Sequence, residues 1–276
     1  MAEAPTPTTE ELAAAGLRLE IDGPVATITL ARPERRNAMT GRTWTMLAHI
    51  GHSLPPSVRI VVITGAGPSF SAGIDLAMFG PDDVDGEPSL LRTIRERPED
   101  RAAVEAVIAG YQAGFLWLRR PGIVSVAAVR GHAIGAGLQL ALACDVRVLS
   151  DDARLCMKEP ALGLVPDLTG TKPLVDLVGV NRAIELCLTA RTVGAEEARE
   201  LRLAELVVPG AELETAVEDL VAALLATPAA AATATKALLT RAPGSSLADQ
   251  ARAERAAQTD LLVSLAAATG TEAGRS

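Results

Sequence analysis

Apolar positions alternate over Leu17–Ile21 and run together over Val25–Leu30, with Asp22-Gly23-Pro24 between them. Two strand-length segments joined by that turn chemistry predict a β-hairpin. Thr43–His52 has helical spacing and stops at Pro55-Pro56. Val58–Thr64 (VRIVVIT) is β-branched, too short for a helix, and ends at Gly65-Ala66-Gly67-Pro68, which predicts a buried strand. Arg101–Leu118 carries the helical period up to Pro121-Gly122, and Ile123–Val129 (IVSVAAV) predicts a second buried strand. A glycine turn over Gly131–Gly137 leads into a short helix through about Cys144, and strand character returns at Asp145–Leu149 and Ala153–Met157. After Val208-Pro209 the pattern turns helical. Leu213, Val217, Leu220, Val221, Leu224 and Leu225 mark one amphipathic face, and alanine-rich helices continue to about Ala268.

Strands separated by helical segments predict an α/β fold with parallel pairing and right-handed crossovers. Residues 1–15, with Pro5, Pro7 and a threonine cluster, read as a flexible tail, 16–207 as the core, and 208–276 as a C-terminal helical region. Pro81, Gly86, Pro88 and Pro98 among many charges make 80–100 a predicted surface insertion. No repeat of fixed period is present.

Composition narrows the function. A chain of 276 residues suits one core with an appendage, and 49% hydrophobic against 22% charged residues excludes wholesale disorder. A net charge of -8 has the wrong sign for a nucleic-acid or anionic-membrane partner, and 2% aromatic residues offer little to stack on bases. Cys144, Cys156 and Cys187 are an odd set in a sizeable chain, which points to a reducing cytoplasm rather than a disulfide framework. MAEAPTPTTEEL lacks the apolar stretch of a secretory signal, and Arg130, His132, Gln139, Asp145 and Arg147 interrupt the apolar run 123–149 before it could span a membrane. His49 and His52 lack further ligands to complete a metal site, so no metal is expected. Cys144 reads as buried and inert, and His132 as a packing or hydrogen-bonding residue.

Two strand-to-helix glycine turns carry the candidate chemistry: Ser69-Phe70-Ser71-Ala72-Gly73-Ile74-Asp75-Leu76 and Gly131-His132-Ala133-Ile134-Gly135-Ala136-Gly137. Such turns expose backbone N–H groups, and two brought together can aim both at one oxygen. Asp75 reads equally as the cap of a helix opening near Leu76. The second turn also imitates the nucleotide turn of short-chain dehydrogenases. It lies mid-chain, however, and the only tyrosine, Tyr111, is followed four positions on by Phe115 rather than lysine.

With the hairpin, "RPERRNAM" (Arg32–Met39), "SFSAGIDL", "VRGHAIGAGLQLALACDVRV" and "KEPALGLVPDLTGT" (Lys158–Thr171), the chain resembles the crotonase superfamily of enoyl-CoA hydratases and isomerases along about 15–265. The resemblance implies a spiral of ββα turns, a C-terminal helical region that mediates trimerisation, and a homotrimer or dimer of trimers serving fatty-acid metabolism. It implies an acyl-CoA substrate, with coenzyme A as part of the substrate and no other cofactor. It also implies an oxyanion hole made by the Ile74 and Ala136 amides.

Carried over by motif, the coenzyme A handle falls on Arg35, Arg36 and Ala38 and on Ala72, Gly73, Ile74, Asp75 and Leu76. Lys236 and Arg241 are further phosphate candidates, and 78–100 is expected to line the acyl pocket. The first hydratase glutamate is replaced by Gln139, which can orient a water but exchanges no proton. The second matches Glu159, and Asp167 matches a catalytic aspartate of some isomerases. Asp167 reads equally as a helix cap, and Glu159 as a salt-bridge partner. One shuttle carboxylate suffices to move a double bond, so the expectation leans to isomerisation or weak hydration. A non-catalytic acyl-CoA-binding protein is the alternative.

Overall fold

The computed structural model describes residues 5–95 and 100–273, with side chains to 267. The chain enters through α1 (Thr9–Ala14), closed by a capping box: Thr8 Oγ1 accepts from Glu11 N at 3.2 Å, and Thr8 N donates to the Glu11 carboxylate at 2.8 Å. Leu12 and Ala15 are buried. The flexible tail expected over 1–15 is therefore corrected: 9–14 form a docked helix, because the threonine cluster supplies the cap and Leu12 the anchor. Residues 1–4 and Pro98 of the expected insertion lie outside the described residues.

β1 (Leu17–Asp22) and β2 (Val25–Leu30) form the predicted hairpin, with Asp22 opposite Val25. The chain continues through α2 (Gly41–Ser53), β3 (Ile60–Gly65), α3 (Leu90–Arg95), α4 (Arg101–Leu116), β4 (Val124–Val129), β5 (His132–Ile134) and α5 (Ala136–Ala143). Then follow β6 (Val146–Ser150), β7 (Arg154–Cys156), α6 (Thr171–Thr189), β8 (Val193–Gly194), α7 (Ala195–Glu200) and β9 (Leu206–Val208). α8 (Leu213–Ala226), α9 (Ala229–Arg241) and α10 (Leu247–Ala273) complete the chain.

The main sheet has the order β1-β2-β3-β4-β6-β9, and every pairing beyond the hairpin is parallel. A second layer stacks shorter rungs from the same successive turns. Met39 bridges Ile74, Ser71 bridges Ala133, and β5 pairs with β7, which pairs with β8. Each turn thus contributes one strand to the sheet and one rung to the second layer, a spiral.

β3 and β4 read as unbroken apolar runs because both faces of the sheet are covered. Val61, Ile63, Ala127 and Val129 join the larger core, while Ile60, Val62, Val126 and Ala128 pack with Leu213 and Val217 of α8. α8 is therefore a layer of the core, although it lies beyond the boundary read at 207/208. Among the described residues no single helix is long and apolar enough to cross a membrane.

Lys236, expected as a phosphate ligand, is committed inside the fold. Its Nζ donates to Asp145 Oδ2 at 2.5 Å and to the Ile123 carbonyl at 2.7 Å, with 11% of the side chain exposed. Burial lowers its pKa against the opposing pull of Asp145. Without Lys236 the Asp145 carboxylate keeps its bonds from Ser125 N and Oγ but loses its cation. Lys236→Ala should therefore lower unfolding stability by about 1.5–3 kcal/mol in urea titration while leaving coenzyme A ester affinity within about twofold. A selective loss of affinity with unchanged stability would contradict this assignment.

Candidate active site

The two glycine turns lie on adjacent rungs. Ser71 N donates to the His132 carbonyl at 2.8 Å, and Ile134 N donates to the Ser71 carbonyl at 3.0 Å. Three residues beyond the Ser71–Ala133 bridge each chain reaches its critical amide, at Ile74 and Ala136. Gly73 (φ +89°) allows this convergence: a Cβ there would lie 2.5 Å from the Ile134 carbonyl oxygen and 3.5 Å from Ala136 N. Met39 brackets the first amide, donating from its N to the Gly73 carbonyl and accepting at its O from Asp75 N, each at 2.8 Å. The Ile74 and Ala136 N–H groups themselves have no acceptor among the described residues. Ala136 is the first residue of α5, where an N–H has no partner within the helix and favours negative charge.

Ile74 and Ala136 both line one cavity of about 460 Å³, which Glu159 and Asp167 also line. Glu159 sits on a short 3₁₀ turn (Glu159–Leu162) and is buried. One carboxylate oxygen accepts from Gln139 Nε2 at 2.6 Å, and the other is buried with no partner among the described residues. Burial pushes its pKa up, and the nearby Asp167 charge adds to the shift. Burial also raises Asp167. The expected alternative roles of both acids are corrected. Glu159 makes no salt bridge among the described residues, and α6 opens at Thr171 with Gly170 at its N-cap and no side-chain cap.

Gln139 also differs from expectation. It is fully buried behind the cavity wall, and its Oε1 accepts from Leu168 N at 2.9 Å and Gly170 N at 3.2 Å. Those two donors fix which end of the amide faces Glu159. Gln139 thus positions Glu159 and ties it to the loop bearing Asp167; it does not present its amide to the cavity as a water ligand.

Ile74, Ala136, Glu159 and Asp167 are therefore brought together, whereas the remaining predicted handle residues lie off the cavity lining. Arg35 and Arg36 are exposed, and Arg35 reaches Asp75 at 3.5 Å. Arg36 adopts a left-handed conformation in which its carbonyl accepts from Ala72 N at 2.8 Å, and Ala38 is half-buried with its carbonyl accepting from Arg32. Asp75 is buried. It caps the turn Leu76–Phe79 through Ala77 N at 3.2 Å and pairs with Arg32 at 3.1 Å, while Leu76 points outward. His49 and His52 bond to backbone carbonyls, and His132 Nδ1 lies 3.3 Å from Ser69 Oγ. Burial drives the Cys144 thiol up to about 12, which makes it unreactive.

Sequence reasoning missed Asn37, Trp44 and Tyr111. Asn37 is buried in a left-handed conformation and donates to the Ala66 and Ser69 carbonyls at 2.9 and 2.7 Å, anchoring the first glycine turn. An asparagine inside RRNAM was its only signal. Trp44 and Tyr111 pack edge to face at 5.0 Å on the cavity wall. Nothing local in the sequence pairs them.

Two backbone N–H groups without acceptors among the described residues and two carboxyls of raised pKa line the same apolar cavity, an arrangement that can hold one carbonyl oxygen and move a proton beside it. Similarity to known proteins points to the same class. The enoyl-CoA hydratase/isomerase family profile matches residues 20–273, and the chain belongs to this family and has its crotonase fold. A candidate enoyl-CoA hydratase from Thermobifida fusca, solved with CoA and with acetoacetyl-CoA, is 69% identical in both structures. The CoA complex has a TM-score of 0.90 and covers 94% of this chain and 98% of its own. The "Probable enoyl-CoA hydratase echA8" of Mycobacterium bovis is 30% identical over 86% of each chain. The peroxisomal Delta(3,5)-Delta(2,4)-dienoyl-CoA isomerase of Arabidopsis thaliana is 30% identical over 82% of this chain and 80% of its own. The chain spans only about a quarter of the plant multifunctional β-oxidation proteins it also matches, 26% in Arabidopsis thaliana.

Proposed function

We propose that the protein binds an unsaturated acyl-CoA thioester with its carbonyl oxygen between the Ile74 and Ala136 amides, and moves its double bond by proton transfer. Coenzyme A enters as part of the substrate. Deprotonation beside the thioester puts negative charge on that oxygen, where fixed N–H donors hold it best. Glu159 takes the proton from one carbon as the C–H electron pair shifts into the enolate. The electrons then return as a proton is delivered to another carbon, by Glu159 or by Asp167, and the double bond has moved with no net change in atoms. Hydration needs a held water as well, and Gln139 is bonded instead to Glu159 and the 168–170 loop. That arrangement is the observation that carries the isomerase lean.

The test compares purified protein on β,γ-enoyl-CoA, dienoyl-CoA and crotonyl-CoA by ultraviolet absorbance. The double-bond shift should outpace hydration. Robust hydration of crotonyl-CoA overturns the lean, and thioester binding with no turnover of any substrate favours the non-catalytic binder.

Gln139→Glu offers a second check. A carboxylate could still accept from Leu168 N and Gly170 N, but it would face Glu159 without the amide hydrogen. Two carboxylates at that distance share a proton. The acid limb of kcat/KM against pH should therefore move to higher pH than in wild type, and hydration of crotonyl-CoA should rise. An unmoved limb argues against the clamp.

Leu239, Leu247, Leu262, Val263 and Leu265 are exposed on α9 and α10, more apolar surface than two terminal helices ordinarily leave to water. Assembly into three or six chains through these helices accounts for it, and sedimentation equilibrium checks the number. Three free cysteines fit a cytoplasmic setting.

A further inference from the structure

We propose that the acyl arm of the site is built for apolar acyl groups of medium length, about eight to twelve carbons, with Val104, Val107 and Ile108 of α4 as the residues that set the limit. The inference rests on the thioester reading above and goes on to name the substrate class. The cavity of about 460 Å³ runs from the two amides to α3 and α4 without interruption. Its charged lining side chains, Glu159 and Asp167, stand at the reacting end. The far end is walled by Phe79, Leu90 and Ile94 opposite the α4 residues, with Thr93 and Tyr111 as polar relief.

α4 makes this wall a fixed one. Ala103, Val104, Val107, Ile108 and Tyr111 recur at helical spacing on one face, so the N-terminal half of the helix presents a continuous apolar surface to the cavity. The C-terminal half is locked onto α2. Phe115 is fully buried, and Gly114 approaches so closely that a Cβ would lie 2.3 Å from the Trp44 carbonyl. That contact anchors the helix at its C-terminal end.

Volume sets the length. At about 30 Å³ for a water-sized group, the cavity holds roughly fifteen such groups. The thioester carbonyl and reacting carbons take about four, leaving roughly eleven, enough for the rest of a ten- to twelve-carbon acyl group. A four-carbon group would leave the far end without apolar partners. Each methylene that reaches it should tighten binding by up to about fourfold. A carboxylate at the tail's end would meet no cation among the described lining residues.

Calorimetry with saturated butyryl-, octanoyl-, decanoyl-, dodecanoyl- and hexadecanoyl-CoA tests this without needing turnover. Affinity should climb from butyryl to decanoyl and stop climbing by hexadecanoyl. A decanoyl-CoA carrying a terminal carboxylate should bind at least about a hundredfold more weakly than decanoyl-CoA. Ile108→Trp should weaken decanoyl-CoA by tenfold or more while butyryl-CoA stays within twofold, which also reports that the variant is folded. Butyryl binding as tightly as decanoyl, a continued gain at hexadecanoyl, or an indifferent terminal carboxylate each overturns the assignment. Failure of every ester to bind overturns the thioester reading itself.

Discussion

Glu159→Gln should lower kcat/KM for the double-bond shift by about 10²- to 10⁴-fold, the range that a positioned acid–base group contributes. Affinity for a saturated acyl-CoA should hardly change, because the side chain keeps its shape and Gln139 Nε2 can donate equally to an amide oxygen. The wild-type pH profile carries the complementary signature. Burial raises the Glu159 pKa, and the base form does the work, so kcat/KM should rise with pH through a limb lying above the usual glutamate range. Stability should move the other way. A carboxyl whose pKa is raised by folding holds its proton more tightly when folded, so wild-type stability falls as pH climbs from the unfolded value through the folded one. Glu159→Gln removes that loss. The variant should melt no lower than wild type at neutral pH, with any advantage disappearing below the unfolded pKa. An inactive variant that melts well below wild type would mean that Glu159 holds the fold rather than the proton.

Gly73→Ala should be nearly as damaging by a different route. The native φ of +89° disfavours any L side chain, and the new Cβ would sit 2.5 Å from the Ile134 carbonyl oxygen, closer than contact allows. The two rungs must separate, and the Ile74 amide moves away from the oxygen we propose it shares with Ala136. Losing one such donor costs about 10²- to 10³-fold in kcat. The loss should appear chiefly in kcat, since both donors bind the developing charge more strongly than the ground-state carbonyl. Gly86→Ala is the control: it too has a left-handed φ, +75°, but nothing lies within 4 Å of its would-be Cβ. Equal activity losses in the two variants would show that backbone strain alone, and not convergence on one oxygen, explains the effect.

Much of this was legible along the chain. VRIVVIT and IVSVAAV predicted strands because β-branched runs of that length suit a sheet covered on both faces. Asp22-Gly23-Pro24 marked its hairpin, and the two glycine turns marked the amides that now share a cavity. The threonines before α1 supply a capping box, yet a helix of six residues has too little periodicity to stand out from a tail in the sequence. Lys236 looked available because a lysine on an alanine-rich helix gives no sign that Asp145, ninety-one positions away in sequence, lies beneath it.

Local chemistry by itself determined where the chain bends, which segments alternate or stay apolar, and which residues can carry or donate a proton. Only the spiral decided which of them meet. It set Ile74 beside Ala136 through the rung that joins Ser71 to Ala133, and it turned Gln139 from a free amide into the clamp on Glu159. It also closed α4 over the far end of the cavity. Those outcomes depend on distances between segments far apart in the chain, and hydrogen-bond register and burial across the whole core fix those distances.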